Sequence, residues 1–266
     1  MKIQFIKMHG IGNDFIVIDQ LTNQYNLNAR EISLLSHRQF GIGFDQLLII
    51  EASSNPKAEF KYRIFNSDGN EVEQCGNGAR CFYHYIKEKN LSKHPQITVE
   101  TKSGLTTLSK KNKDSISVDM GKPFFEKPIS NLFTLISIGN PHAVLHPLGE
   151  EDQWDGAIKY AKEIQTDKVL FPKGINVGFM KIIDENNIRL KVLERGSGLT
   201  LACGSGACAA AAAAIQEKLV KTPVTVHMDG GNLIIDWDGS NSIIMSGPAK
   251  IVYEGEFDLD SFKKYE

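Results

Sequence analysis

Two cysteines lie in near-identical glycine-rich segments, and their thiols are the side chains of this sequence best suited to chemistry. Cys75 opens the segment CGNGA, and Cys203 opens CGSGA. A helical pattern follows each segment, so each cysteine is predicted at a helix N-terminus. Such a terminus presents free N–H groups and a partial positive charge, which favour a thiolate and can bind a carboxylate. Two such thiols suit the removal of a proton from one face of a carbon and its return to the other, which is racemisation or epimerisation without a cofactor.

Other roles for the cysteines are open at this point. Cys81 and Cys208 fall inside the predicted helices and are interpreted as inert structural residues. A redox pair is a second reading, although neither glycine-rich segment is a C-x-x-C motif. Metal binding is a third, but the seven histidines are scattered and no close Cys/His spacing supports a metal site.

The two cysteine segments belong to an internal duplication. Five landmarks recur in the same order at an offset of about 126–128 residues. They are Gly12-Asn13 with Gly139-Asn140, YRIFN with LKVLE, CGNGA with CGSGA, Pro95 with Pro223, and Gly121 with Gly247. We therefore expect two homologous halves, residues 1–119 and 120–254, with a tail, 255–266, packing back on the first half. A pseudo-twofold relation between the halves would make the two helix starts face each other.

The pattern of elements predicts an α+β fold in which each half is a mixed, barrel-like β-sheet wrapped around one central helix. Alternating apolar runs predict strands, and hairpin signals such as DGGN and DGSN separate those near the C-terminus. Outside the central helices, we expect a helix over Ala29–Phe40, with Asn28 as N-cap and Gly41 as its stop, and a counterpart over Asp155–Gln165. Lys7, His9 and the Lys110–Lys113 run are expected on the solvated surface.

Composition excludes several classes of protein. The chain has 266 residues, of which 41% are hydrophobic and 23% charged, which is typical of a globular protein. Thirty Lys and Arg against 32 Asp and Glu give a net charge of −2, so no basic field for nucleic acid or an anionic membrane is expected. The longest apolar run, Ala207–Ile215, is too short for a membrane span, and the first residues lack a signal-peptide pattern. A cytoplasmic location is predicted.

At these motifs the sequence closely resembles the diaminopimelate epimerases, a pyridoxal-independent family that interconverts LL- and meso-diaminopimelate. The matching motifs are HGIGNDF, GFDQ, NSDGNEVEQCGNGARC, GNPHAV, GINV and ERGSGLTLACGSGA, which run from His9 to Ala207 in family order. One departure is CGSGA, where the family more often has CGTGA, but Ser205 keeps the hydroxyl. The resemblance implies a site between two similar domains, Cys75 and Cys203 as the acid/base pair, no cofactor, and a homodimer acting in lysine and cell-wall precursor biosynthesis.

The resemblance also implies roles for residues around the cysteines. Side-chain amides at matching motif positions suit a pocket that hydrogen-bonds a zwitterionic diamino dicarboxylate; they are Asn13, Gln46, Asn66, Asn140 and Asn176. Arg195 suits the distal carboxylate of the substrate, because a guanidinium binds carboxylates in bidentate fashion. His142 and Glu194 would lie beside the cysteines as catalytic residues, because a neighbouring base could take a thiol proton and keep one sulfur charged. Glu194 would also contact substrate. The backbone N–H groups offered to the reacting carboxylate would be those of Gly76, Asn77, Gly204 and Ser205.

Two other functions are weighed against the epimerase. One is a cofactor-independent racemase of another amino acid. Asn66, Asn176 and Arg195 suit a substrate with a distal stereocentre and carboxylate, so they make this alternative less favourable. The other is a non-catalytic amino-acid binding protein of the same fold, which would not need two matched thiols.

Overall fold

The computed structural model describes residues 2–145 and 154–262, which divide into two compact units. The described parts of Met1–Val118 and Pro248–Glu266 form the first unit, and those of Asp119–Gly247 form the second. None of the described helices has the length and apolar character needed to cross a membrane.

The first unit is built mainly of strands. Its elements are β1 (Lys2–Gly10), β2 (Asn13–Asp19), α1 (Ala29–Ser36), β3 (Gln46–Ala52), β4 (Phe60–Asn66), β5 (Glu71–Val72), α2 (Gly76–Glu88), β6 (Gln96–Thr101), β7 (Gly104–Lys110), β8 (Ile116–Asp119, ending at the unit boundary), β18 (Lys250–Asp258) and α5 (Leu259–Phe262). Its sheet runs in the order β18-β1-β2-β3-β4-β6-β7-β8, and β5 adds to β4 as a short extra strand.

The second unit repeats this arrangement. Its elements are β9 (Phe124–Phe125), β10 (Phe133–Ser137), β11 (Pro141–Leu145), α3 (Trp154–Thr166), β12 (Asn176–Asp184), β13 (Asn187–Glu194), β14 (Gly198–Thr200), α4 (Gly204–Gln216), β15 (Val224–Met228), β16 (Gly231–Asp236) and β17 (Ile244–Gly247). Its sheet runs β9-β10-β11-β12-β13-β15-β16-β17, with β14 added to β13.

The two sheets have the same sequence of parallel and antiparallel pairings. In each, the third and fourth strands in sheet order are parallel, as β2 with β3 and β11 with β12. The parallel pair β4 and β6 likewise corresponds to β13 and β15. This agreement confirms the duplication seen in the sequence and the predicted α+β fold class.

Each unit has one helix buried on nearly all sides. The α2 helix packs against β1, β2, β3, β7 and β18, and α4 packs against β10, β11, β12, β13, β15 and β16. From Gly206 to Ala214 every residue of α4 is buried, and seven of these nine are alanines. Alanine has high helix propensity and a small side chain, so this helix can be approached closely by strands all round.

A second, amphipathic helix covers the other face of each sheet. In the first unit Ile32 and Leu35 of α1 pack on Ile16 and Ile18 of β2. In the second unit Ala161 and Ile164 of α3 belong to the equivalent cluster over β10–β13. Each sheet is therefore sandwiched between a central and an outer helix, which is why its strands carry long apolar runs.

The outer helix α1 ends earlier than the sequence pattern predicts. Asn28 caps it as expected, with a capping box completed by Glu31, but the helix stops at Ser36 and not at Phe40. The reason is the ring of His37, whose Nδ1 accepts hydrogen bonds from the backbone N–H groups of Gln39 and Phe40, both at 3.2 Å. These bonds turn the chain before another helical turn forms, so the predicted extent of this helix was wrong.

The unit boundary near the C-terminus differs from the predicted one. The sequence pattern predicts this boundary after residue 254, whereas Pro248 and the described residues after it belong to the first unit. The reason is β18, which pairs with β1 from Lys250 opposite His9 to Asp258 opposite Lys2. The described part of the 255–266 tail lies on the first unit, as expected, and residues 263–266 are outside the described residues. The N-terminal boundary, at 118/119, lies one residue from the prediction.

Candidate active site

Three of the predicted amide residues lie at one edge of the first sheet. Asn13 begins β2, Gln46 begins β3 and Asn66 ends β4. Because β2 and β3 are parallel and β4 runs antiparallel to β3, these three ends meet at the same edge. Gln46 pairs directly with Asn66 in the ladder, and its Nε2 donates to Asn66 Oδ1 at 2.8 Å.

Cys75 is the N-cap of the buried helix α2. Its backbone is extended, with φ −144° and ψ 108°, and its Sγ accepts a hydrogen bond from the N–H of Gly78 at 3.4 Å. The Cys75 thiol also donates to Asn13 Oδ1 at 3.8 Å, and Asn77 Nδ2 donates to the same oxygen at 3.3 Å. The structure therefore brings Asn13, Cys75 and Asn77 together.

Gly78 has a steric role beside this cysteine. A Cβ atom at this position would overlap with the hydroxyl of Tyr62, which lies 3.4 Å from the backbone oxygen of Cys75. Burial raises the pKa of Tyr62 well above its usual value, so the hydroxyl stays protonated. The second glycine of CGNGA is thus required by close packing at the start of the helix.

The second unit places an equivalent set at the equivalent edge of its sheet. Asn140 immediately precedes β11, Asn176 begins β12 and Glu194 ends β13. The parallel pairing of β11 with β12 and the antiparallel pairing of β12 with β13 bring these ends together. Asn176 Oδ1 accepts from the backbone N–H of Arg195 at 2.9 Å, and Asn176 Nδ2 donates to the oxygen of Pro141 at 3.3 Å.

Cys203 caps α4 as Cys75 caps α2. Its φ and ψ are −127° and 110°, and its Sγ accepts from the N–H of Gly206 at 3.4 Å. The Ser205 hydroxyl lies 3.7 Å from this sulfur and 3.1 Å from Nε2 of His142, which is also 3.1 Å from Asn140 Oδ1. The Ser205 hydroxyl therefore lies between the imidazole of His142 and the thiol of Cys203 and contacts both.

Burial raises the pKa of the Cys203 thiol well above its usual value, since only 4% of the residue is exposed. The Glu194 carboxylate adds to this increase, by its charge and by accepting a hydrogen bond from the thiol, and outweighs the opposing bonds from the Gly206 amide and Ser205. Glu194 is itself held by the hydroxyl of Thr200, which donates to Oε1 at 2.5 Å. Cys203 is thus a thiol, whereas its helix N-terminus alone predicts a thiolate.

The imidazole of His142 is neutral at physiological pH. Burial lowers its pKa to about 3, since the residue is 1% exposed. Its Nδ1 atom is buried with no hydrogen-bond partner among the described residues, and the same is true of Oε1 of Gln46. Buried polar atoms without partners are uncommon in folded proteins, so each marks a place where a ligand could bond.

Arg195 follows directly on Glu194 at the end of β13. Its Nη1 donates to the oxygen of Lys173 at 2.9 Å, and its side chain lies across Gly174, where a Cβ would be 2.8 Å from Arg195 Cδ. Gly174 also has a φ of +73°, a conformation that favours glycine. The turn formed by Gly174, Ile175 and Asn176 therefore positions both Asn176 and Arg195.

Sequence reasoning missed two polar residues that hold the site residues in place. Asp45 accepts from Asn13 Nδ2 at 2.9 Å, and Thr200 donates to Glu194. Asp45 could have been found, because it lies within the GFDQ motif. Thr200 carries no comparable signal, because only the hairpin of β13 and β14 brings it over Glu194. Among the described residues no group of three or more His, Cys, Asp or Glu is placed to hold a metal ion.

Several solved structures have the same fold as this chain. A hydroxyproline epimerase from Agrobacterium vitis with bound trans-4-hydroxy-L-proline has a TM-score of 0.74 at 14% identity, covering 97% of this chain and 93% of that one. A probable proline racemase from Agrobacterium radiobacter K84 has the same TM-score and identity, covering 98% and 94%. A PhzF-family phenazine biosynthesis protein from Bacillus anthracis has a TM-score of 0.73 at 15% identity, covering 97% and 99%. The chain has the fold of these racemases, epimerases and PhzF proteins.

Sequence comparison shows the family to which the chain belongs. The family described as diaminopimelate epimerase matches residues 5–126 and 134–252. The chain is 44% identical to a diaminopimelate epimerase of Psychrobacter sp. (strain PRwf-1), over 98% of this chain and 96% of that protein. It is 43% identical to one of Vesicomyosocius okutanii, over 97% and 100%. The chain belongs to the diaminopimelate epimerase family.

Proposed function

We propose that this protein interconverts LL- and meso-2,6-diaminopimelate, with Cys75 and Cys203 as the two groups that exchange the α-proton. One observation carries the proposal: two cysteines cap two topologically equivalent helices in a chain of this family. Such a position gives each sulfur a backbone N–H partner and leaves further N–H groups of the helix start for a carboxylate.

In the proposed reaction one sulfur takes the α-proton as a thiolate, and the other, as a thiol, supplies a proton to the opposite face. The carbanion-like transition state is stabilised by helix-start N–H groups that bind the α-carboxylate. Cys203 begins as the proton carrier, because burial and Glu194 hold it protonated. The forward step leaves Cys75 as the thiol and Cys203 as the thiolate, so the reverse reaction starts from that state: Cys203 takes the α-proton and Cys75 returns one to the opposite face.

The site's neutral amides and its arginine support a substrate with polar groups at both ends. The side-chain oxygen of Asn176 accepts a hydrogen bond from the backbone N–H of Arg195, so both residues are held at one strand edge. A guanidinium is the natural partner of a second carboxylate. This feature favours a diamino dicarboxylate over an amino acid with an apolar side chain.

The cysteine test uses single alanine variants in deuterated water. Cys75→Ala and Cys203→Ala should each lower the rate of inversion by a factor of about 10²–10⁴ or more, because each removes one obligatory proton carrier. The remaining thiol should still exchange the α-proton of one stereoisomer, since it can take and return the proton on its own face. The assay is polarimetry for inversion and NMR for deuterium uptake.

Matched controls lie in the same helices. Cys81 and Cys208 are fully buried, and their alanine variants should retain most of the inversion rate. Near-normal inversion in Cys75→Ala or Cys203→Ala would refute the two-thiol mechanism. Arg195→Met should weaken diaminopimelate turnover far more than it changes the melting temperature, whereas equal turnover of an amino acid without a distal carboxylate would favour the racemase alternative.

We also propose that the protein is a cytoplasmic homodimer that supplies meso-diaminopimelate for lysine and cell-wall synthesis. The support is the family membership and the four cysteines, none of which forms a disulfide in the described part of the chain, as is compatible with a reducing compartment. Light scattering of the purified chain tests the dimer, and a monomer at micromolar concentration would contradict it.

A further inference from the structure

We propose that Asp45 is a positioning residue, which fixes the side-chain amide of Asn13 so that its oxygen, and not its nitrogen, faces the sulfur of Cys75. The inference rests on the proposed function only in that Cys75 is taken to carry a proton during catalysis. All of the residues involved belong to the first unit.

The chemistry of the carboxylate decides the orientation of the amide. Asp45 Oδ2 accepts from Asn13 Nδ2 at 2.9 Å and from the backbone N–H of Asp14 at 3.1 Å. An ionised carboxylate only accepts hydrogen bonds, so the NH₂ end of the Asn13 amide must point towards Asp45. The opposite end, Oδ1, then points towards the Cys75 thiol at 3.8 Å and receives a second bond from Asn77 Nδ2 at 3.3 Å.

Asp45 is itself held from two sides. Its Oδ1 accepts from Arg38 Nη2 at 2.8 Å, and its backbone N–H donates to Asp14 Oδ1 at 3.0 Å. Arg38 also bonds both carboxylate oxygens of Asp14, at 2.8 and 3.1 Å, and Asp14 forms an ion pair with Lys7 at 2.5 Å. This cluster of Lys7, Asp14, Arg38 and Asp45 is thus tied to the chain at several points, so the Asp45 carboxylate has little freedom to turn away from Asn13.

The orientation has a consequence for the sulfur. An amide oxygen facing Cys75 accepts from S–H and stabilises the thiol, whereas an amide NH₂ would donate to the sulfur and stabilise the thiolate. Without Asp45 the amide can rotate. The pKa of the Cys75 thiol should then fall, and the protonated form that returns a proton to substrate should become scarcer.

The test is the pH profile of Cys75 alkylation by iodoacetamide, followed by mass spectrometry of the Cys75 peptide. Asp45→Ala should lower the midpoint of the profile by about half to one pH unit, which corresponds to one ordinary hydrogen bond. Tyr62 and Cys81 interact with Cys75 electrostatically, and burial raises the pKa of both, so neither titrates across the profile. The free thiol is measured directly, so the result does not depend on whether Cys75 is catalytic.

Two comparisons make the test specific. Glu51 lies at the far end of the strand that follows Asp45 and pairs with Lys61 and Arg63, both at 3.2 Å, so Glu51→Ala removes ion pairs without touching Asn13 and should leave the midpoint unchanged. In an Asn13→Ala background, Asp45→Ala should produce no further shift, because its action passes through the Asn13 amide.

Either of two results would overturn the proposal. One is an alkylation midpoint of Asp45→Ala equal to that of the wild type. The other is that Asp45→Ala shifts the midpoint of the Asn13→Ala variant as much as it shifts that of the wild type. Asp45→Asn keeps the volume and one acceptor oxygen, and it carries the same test with a smaller shift if the alanine variant does not fold. A shifted midpoint with an unchanged inversion rate would contradict the catalytic role of Cys75 and leave the positioning by Asp45 standing.

Discussion

Replacing His142 with glutamine should change how the stability of the protein depends on pH. The imidazole is 1% exposed, and burial lowers its pKa to about 3, against about 6.5 in an unfolded chain. The unfolded state therefore takes up a proton that the folded state does not. The contribution of this group to stability is complete above pH 6.5 and is lost as the pH falls from 6.5 towards 3.

The size of the effect follows from the two pKa values. One pH unit is worth about 1.4 kcal/mol where only the unfolded state is protonated, so the wild type should lose about 2 kcal/mol through His142 between pH 7 and pH 5. The His142→Gln variant lacks this loss, while the contributions of the other titrating groups are common to both proteins. The difference in unfolding free energy between the two proteins should therefore shrink by about 2 kcal/mol over this interval.

Urea unfolding followed by tryptophan fluorescence measures this difference well. Both tryptophans, Trp154 and Trp237, lie in the second unit together with His142, so the signal reports on the unit that is changed. Between pH 7.5 and pH 9 the unfolding free energies of the two proteins should differ by a constant amount, which is the internal control. A difference that stays constant from pH 7 to pH 5 would mean that the folded imidazole is solvated or already charged, and it would refute the argument.

Two further substitutions test a buried ion pair in the first unit and tight packing in the second. Asp14→Asn removes the carboxylate that pairs with Lys7, which is only 8% exposed, and should cost about 2–4 kcal/mol of unfolding free energy in urea; a loss below 0.5 kcal/mol would show that the ammonium finds other partners. Gly206→Ala places a Cβ 3.2 Å from the Cys203 sulfur, and should both destabilise the protein by about 1–3 kcal/mol and impair turnover. Gly156→Ala, where a Cβ meets nothing within 4 Å, is the matched control, and full activity of both variants would contradict the steric argument.

Local and repeated features of the fold could be predicted from the sequence. The helix starts at Cys75 and Cys203 follow from the small residues and the apolar spacing after them, and both cysteines are indeed N-caps. The duplication was visible because the same landmarks recur at one offset, and the two units have the same pairing order. The cap at Asn28 is likewise a local signal, since its partner Glu31 is three residues away.

Features that depend on residues distant in sequence could not be predicted. Lys7 was expected on the surface, but it is buried because Asp14 on the next strand and the carbonyl of Gly43 receive its ammonium. The unit boundary was displaced because β18 leaves the second half of the sequence to pair with β1. No local pattern encodes either contact, since a strand's partner is chosen by the whole sheet.

The two halves also explain how matched cysteines become chemically unequal. In the duplicated alignment YRIFN lies over LKVLE, so Asn66 of the first half corresponds to Glu194 of the second. The second half thus has a carboxylate that raises the pKa of Cys203 by its charge and its hydrogen bond, where the first half has a neutral amide bonded to Gln46. The proposed two-base reaction requires one sulfur to hold a proton while the other does not. Two equal helix N-termini act alike on both thiols, so a fixed preference of the proton for one sulfur must come from residues in which the halves diverge. The Asn66/Glu194 pair is such a difference at equivalent strand ends.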